Sequence, residues 1–164
     1  MRGVALALAA ALMLGGCGLR PLYGGVDSPV AATLAGVEVA PIEGEGGWLV
    51  ANALRDRLAG AGSGTPAYRL QIDLDDDIVG LGIRRDDTVT RERRTLRARY
   101  QLVDLANGAV LLDATAGSDA GIDVVSSEYA TIAAEKTALE RLSDQIADQI
   151  VGRIALYAAR SGER

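Results

Sequence analysis

The chain has 164 residues, enough for one domain with a real core and too few for two. A formal charge of −5 argues against a general attraction to nucleic acid, and the lack of any histidine removes the usual general base, zinc ligand and nucleophile activator. With no Phe and a single cysteine, Cys17, the core must be built from Leu, Ile, Val and Ala, without an intramolecular disulfide.

Met1-Arg2 supplies a positive start, and Val4 to Leu14 is an unbroken apolar run. Eleven helical residues reach about 16 Å, half a bilayer core, so this run is too short to span and reads as a secretory signal. Leu14-Gly15-Gly16-Cys17 is similar to a lipobox, the processing pattern of bacterial lipoproteins. On that reading residues 1–16 are removed, and the thiol of Cys17, the new N-terminal residue, carries a diacylglyceryl group. Two or more acyl chains anchor stably, since each buried methylene is worth about 0.8 kcal/mol. Gly18 rather than Asp follows the cysteine, which in sorted lipoproteins goes with the outer membrane.

Residues 17–33, rich in Gly, Pro and small polar residues, read as a lipidated flexible tether, with the domain over 34–164. Leu34–Ala40, ended by Pro41, reads as a short strand. Trp48–Ala59, with Val50, Leu54 and Leu58 on one side and Gly60 after it, reads as an amphipathic helix, with Trp48 as a core anchor. Tyr68, Leu70, Ile72 and Leu74 alternate with polar residues as a half-buried strand, and a second strand runs from about Thr88 to Leu105. At Ala106-Asn107-Gly108 a three-residue loop with left-handed Gly108 pairs Leu102 with Leu112 and Tyr100 with Ala114, keeping one face apolar. A final helix over about Glu128–Tyr157 carries a stripe from Tyr129 and Ile132 to Ile154 and Tyr157, broken by Lys136, which reads as a snorkelling stem. The expected fold is α+β: a two-layer sandwich of a four-stranded, mainly antiparallel sheet with two helices on one face.

Arginine is the strongest anomaly. Residues 84–99 hold seven arginines against Asp86, Asp87 and Glu92, a local +4. If the strand is continuous, Arg91, Arg93, Arg97 and Arg99 project from the face opposite Leu96, Ala98 and Tyr100, with alternate residues about 6.8 Å apart. Such a row either binds an anionic ligand through its guanidinium forks or is neutralised by Asp73 and Asp75 of the neighbouring strand. Asp73, Asp75, Asp76 and Asp77 lack calcium-loop spacing and read as a polar strand face running into a turn. No nucleophile–base pair, phosphate loop or metal spacing is present, so no catalytic residue, metal or cofactor is assigned and the protein is expected not to be an enzyme.

Gly16-Cys17-Gly18-Leu19-Arg20-Pro21-Leu22-Tyr23-Gly24, with Tyr68-Arg69-Leu70, Thr90-Arg91, Tyr100-Gln101-Leu102-Val103-Asp104 and Ser127-Glu128-Tyr129-Ala130, resembles the alphaproteobacterial branch of the LptE family of lipopolysaccharide-assembly lipoproteins. That branch usually has Phe where Leu19 stands. The resemblance implies an outer-membrane lipoprotein that plugs an LptD-like β-barrel, assists its folding and binds lipopolysaccharide. It transfers no lipid-contacting position; Arg91, Arg93, Arg97 and Arg99 are candidates on charge alone. Alternatives are an auxiliary lipoprotein of a phospholipid-transporting ABC system, an envelope scaffold that binds no lipid, and a small hydrolase using the Asp73–Asp77 carboxylates.

Overall fold

A computed structural model describes residues 28–83 and 89–162. The signal, Cys17, the tether up to residue 27 and the loop arginines Arg84 and Arg85 lie outside the described residues. The elements run α1 (Pro29–Ala35), β1 (Val37–Val39), α2 (Gly44–Ala59), β2 (Tyr68–Ile83), β3 (Val89–Asp104), β4 (Val110–Asp123) and α3 (Glu128–Ser161). The strands form an open sheet in the order β1-β2-β3-β4. β1 lies parallel to β2, with α2 as the crossover that a parallel pair needs, and the other pairs are antiparallel. The class is α+β as expected, but among the described residues three helices accompany the sheet rather than two.

The additional helix, α1, occupies a stretch that composition assigned to the tether. Ser28 caps it by accepting from the Ala31 N–H at 3.1 Å, and Pro29 sits in the first turn, where its missing N–H costs nothing. Seven residues would not hold as an isolated helix. Val30 and Leu34 do hold it, buried in the core cluster. Leu34 therefore belongs to α1, and β1 shrinks from the expected Leu34–Ala40 to Val37–Val39.

The even-numbered residues of the long strands carry the apolar face. Leu70, Leu96, Ala98, Tyr100, Leu102, Ala116, Ala120 and Ile122 are buried in the same cluster as Leu142, Ile146, Ile150 and Ile154 of α3 and Val50, Leu54 and Leu58 of α2. Burying such a side chain stabilises by about 1.5–3 kcal/mol. The sheet registers Leu102 against Leu112 and Tyr100 against Ala114, with Gly108 at φ 73, as the alternation required. The connection is longer than three residues. The carboxylate of Asp104 and the amide oxygen of Asn107 accept from Ala106 N–H and Ala109 N–H, both at 2.8 Å, and a bulge follows Leu102.

Three expectations fail for identifiable reasons. β2 continues to Ile83 rather than turning after Asp75–Asp77, because this acidic, glycine-containing stretch pairs residue for residue with Arg91–Arg97 of β3. Trp48 is 63% exposed and is no core anchor. The buried face of α2 is set by Gly46, Gly47, Val50, Leu54 and Leu58, which turns position 48 outward. In α3 the first turns run past the apolar part of the sheet, leaving Tyr129 and Ile132 exposed, so the buried stripe starts effectively at Ala138 and Leu139.

α2 also starts four residues before the expected Trp48, despite the poor helix propensity of Gly44-Glu45-Gly46-Gly47. Close approach explains Gly46 and Gly47, whereas Gly44 takes a φ of 80 that favours glycine. A Cβ on Gly47 would stand 2.8 Å from the Ile42 backbone, and one on Gly46 3.3 Å from Leu74. Arg57 of α2 then clamps the helix pair, donating to Asp148 at 2.6 Å and to Asp144 at 3.3 Å. At the far end of α3, a Cβ on Gly162 would lie 3.2 Å from Pro29, so the first and last described elements adjoin. We predict that Gly47→Ala lowers stability by about 1–3 kcal/mol in urea denaturation, through overpacking against backbone that cannot yield. Gly152→Ala, in α3 with nothing within 4 Å of its added Cβ, should instead stabilise by about 0.5–1 kcal/mol.

Candidate functional site: an arginine-rich sheet face

The odd-numbered residues of β2, β3 and β4 form the face opposite the core. Arg91, Arg93, Arg97 and Arg99 all lie on it, exposed, in one row along β3. The row runs between two acidic rows. On β2, Asp75 stands opposite Arg97 and Asp73 opposite Arg99; β4 carries Asp113, Asp119 and Asp123.

Neutralisation comes from β4 rather than from the β2 carboxylates. Arg91 Nε lies 3.0 Å from Asp123, Arg93 Nε 3.9 Å from Asp119, and Arg99 Nη2 3.1 Å from Asp113. Asp113 also accepts from Gln101 at 2.8 Å, and the hydrogen bonds from Arg99 and then Gln101 hold its carboxyl below the ordinary carboxylate range. These pairs are exposed, and such pairs contribute about 0–1 kcal/mol, so they can exchange partners readily. Arg97 differs. Its stem passes over Gly117, and its guanidinium has no carboxylate at ion-pair distance among the described residues. Glycine at 117 leaves the space a Cβ would occupy, 3.6 Å from Arg97 Cγ.

Sequence parity set Arg94 apart from the row, and the structure gives it a separate task. It lies on the helix side, where Nε and Nη2 grip both oxygens of Asp76 at 2.8 and 2.6 Å while Nη1 donates to the Glu135 carbonyl at 3.0 Å. This partly buried fork pins the outer half of the β2–β3 hairpin to α3. One residue pair farther out, Glu92 Oε2 is shielded from solvent without a hydrogen-bond partner. Burial, and then the carboxylate of Glu135, push the Glu92 carboxyl above its ordinary value. Lys136, exposed, has its ammonium 3.9 Å from Glu45 of α2. Arg94 does not announce itself in sequence, because its partners Asp76 and the Glu135 carbonyl are 18 and 41 residues away.

Asp73, Asp75, Asp76 and Asp77 are exposed and face no common cleft. Asp76 is the one turned toward Arg94. No group of three or more acidic, His or Cys ligands suited to a metal occurs among the described residues. No helix among them is long and apolar enough to cross a membrane.

A family model described as LptE, lipopolysaccharide-assembly, matches residues 34–154. Among solved structures, a Caulobacter crescentus protein described as a lipoprotein superposes with a TM-score of 0.65 at 25% identity, over 79% of this chain and 96% of that one. The rare lipoprotein B of Shewanella oneidensis aligns with a TM-score of 0.63 at 11% identity, covering 77% and 96% of the two chains. A minor lipoprotein of Acinetobacter baumannii gives 0.61 at 14%, covering 74% and 92%. At these lower identities the likeness is one of fold. No curated protein matches the chain.

A carboxyl whose pKa is raised by folding favours the folded state at acid pH, and that contribution is lost as pH rises through the folded value. Glu92→Gln removes the shielded charge and offers Glu135 an N–H donor. The variant should melt higher than the parent at pH 7 in a thermal scan, and the gain should vanish near about pH 4, the ordinary range for a carboxyl.

Proposed function

Because the chain belongs to the LptE family of lipopolysaccharide-assembly proteins, we propose that it is an outer-membrane lipoprotein that seats in an LptD-like β-barrel, assists the folding of that barrel and receives lipopolysaccharide, without catalysing a reaction. The family match across residues 34–154 carries this reading. The lipobox-like Leu14-Gly15-Gly16-Cys17 supports the anchor, with the lipid on Cys17. Nothing in the reading needs a metal or cofactor. Asp73, Asp75 and Asp77 are solvated and Asp76 is held by Arg94, which counts against carboxylate hydrolysis, and the family match counts against a phospholipid-transport accessory.

In this reading the arginine row meets the phosphates of lipid A. Each guanidinium offers a planar fork for two oxygens, and a doubly charged phosphate outcompetes a single exposed carboxylate for it. Arg97 leads, since it has no partner to release; Arg91, Arg93 and Arg99 follow by exchanging Asp123, Asp119 and Asp113 for phosphate.

Replacing Arg91, Arg93, Arg97 and Arg99 together by Gln should weaken binding of phosphorylated lipid A by about tenfold or more at low salt, where exposed charge attraction is greatest. Arg97→Gln alone should account for the largest single share. Equal affinity of parent and quadruple variant at low salt would remove the row from the reading while leaving the family role standing. For the anchor and partner, affinity purification from outer membranes should bring down a large β-barrel with the tagged protein. Cys17→Ala should shift the free protein to the soluble periplasmic fraction. Recovery with an inner-membrane transport assembly would favour the phospholipid-transport alternative.

A further inference from the structure

β4 is the outer strand of the sheet, and the helix beside it treats its two halves differently. Along an edge strand, alternate residues aim both backbone groups away from the sheet. On β4 these are the odd-numbered residues. Gly117 exchanges both its groups with the side-chain amide of Gln149, its N–H to Oε1 and its carbonyl from Nε2, each at 3.2 Å. From the even-numbered series, Val124 N–H donates inward to the Thr90 carbonyl at 3.1 Å. Register runs unbroken between Gly117 and Asp123, so the backbones of Asp119, Gly121 and Asp123 also face outward. No described residue pairs with them.

The cause lies in α3. Gln149, Gln145, Arg141 and Ala138 recur at spacings of three and four, on the side of the helix that faces this edge. Gln149 closes the edge at Gly117, and Gln145 accepts from the Ser118 hydroxyl at 2.6 Å. Farther along, the helix carries Ala138, Thr137, Ala134 and Ala133. These are too short to reach the strand, and a groove opens between them and Gly121-Ile122-Asp123, with Arg141 at its side. Arg141 is exposed and has no ion-pair partner among the described residues. Asp123 cannot serve it, being turned to the opposite face and held by Arg91.

We infer that the β4 edge at Asp119–Asp123 is a docking site for an extended, acid-bearing polypeptide segment of a partner, which adds to the sheet as a fifth strand and places a carboxylate on Arg141. Main-chain hydrogen bonds to Asp119, Gly121 and Asp123 hold the segment, and its helix-facing side chains rest on the alanine floor, which admits small residues. Gly117 and Gln149 already show the pairing pattern that the segment continues. A second copy of this chain suits the site less well, because the carboxylates its own edge would bring, Asp119 and Asp123, lie on the face away from Arg141. The inference does not depend on the lipid reading.

The test is titration of the full-length protein, in detergent, with a capped strand peptide TVTVEVTVT, followed by amide hydrogen exchange. Saturable binding should protect the amides of Asp119, Gly121 and Asp123. Replacing the central Glu by Lys should weaken binding about tenfold or more, as loss of a charge-assisted pair does. Methylating alternate peptide nitrogens should abolish it. Arg141→Glu should reverse the preference, favouring the Lys peptide. Gly121→Pro should block binding with an unchanged circular dichroism spectrum, since proline is tolerated where an edge N–H faces solvent. The inference is overturned if the methylated peptide binds as well as its parent, if Arg141→Glu leaves the preference intact, if no saturable binding occurs, or if Gly121 mediates self-association of the protein instead.

Discussion

Two-residue periodicity in three long strands is the constraint on which everything else depends. Through Leu70–Leu74, Leu96–Leu102 and Leu112–Ala116 the even positions face the core beneath α2 and α3, and the side-chain period leaves odd positions no other place than the opposite face. A slip of one residue between β3 and β4 would turn Arg97 and Arg99 inward and Leu96 and Ala98 outward, which makes the register as firm as the core itself. The arginine row is thus a by-product of alternation before it is anything else. What distinguishes it is its setting between acidic rows, which keeps the face soluble while holding four guanidiniums in line.

The covered face changes character along its length. Near Leu142, Ile146, Ile150 and Ile154 it is dry and aliphatic. Toward the hairpin end the apolar residues run out, and the contact between sheet and helix passes to Arg94, Asp76 and the Glu135 backbone. Replacing hydrophobic contact by a forked hydrogen bond exchanges a non-directional attraction for a directional one. Glu92, shielded and unpartnered beside Glu135, marks where that exchange is least well satisfied.

Legibility in the sequence followed the same gradient. Alternation through Tyr68–Leu74 and Leu96–Leu102 is strong, and it carried both the antiparallel pairing and the register across Gly108. Asp75–Ile83 opens on three aspartates and lacks alternation, so Ile78, Val79 and Ile83 do not read as a strand; pairing with β3 extends β2 through it, an interaction between distant stretches that no local pattern contains. α1 was hidden for a related reason, since seven residues of Pro, Ala, Val, Leu and Thr resemble a linker until Val30 and Leu34 find the core. Trp48 misled because size suggests burial, whereas its neighbours Gly46 and Gly47 had already committed the other side of the helix to close packing. The row itself was readable to the residue from parity. Its partners on β4 were not: opposite charges stood on both neighbouring strands, and side-chain reach decided between them.

The meeting of Pro29 with Gly162 brings the two ends of the described domain to one pole. The described chain enters beside the end of α3, and α3 runs 34 residues, about 51 Å, before its start is reached beside Thr90 and Val124. Those adjoining ends and the hairpin end therefore lie at opposite ends of α3. Arg91 and Arg93 ride near the far pole, and Arg99 sits nearer the middle. A ten-degree tilt of α3 about that end would move the hairpin end by about 9 Å, more than the roughly 6.8 Å between Arg91 and Arg93.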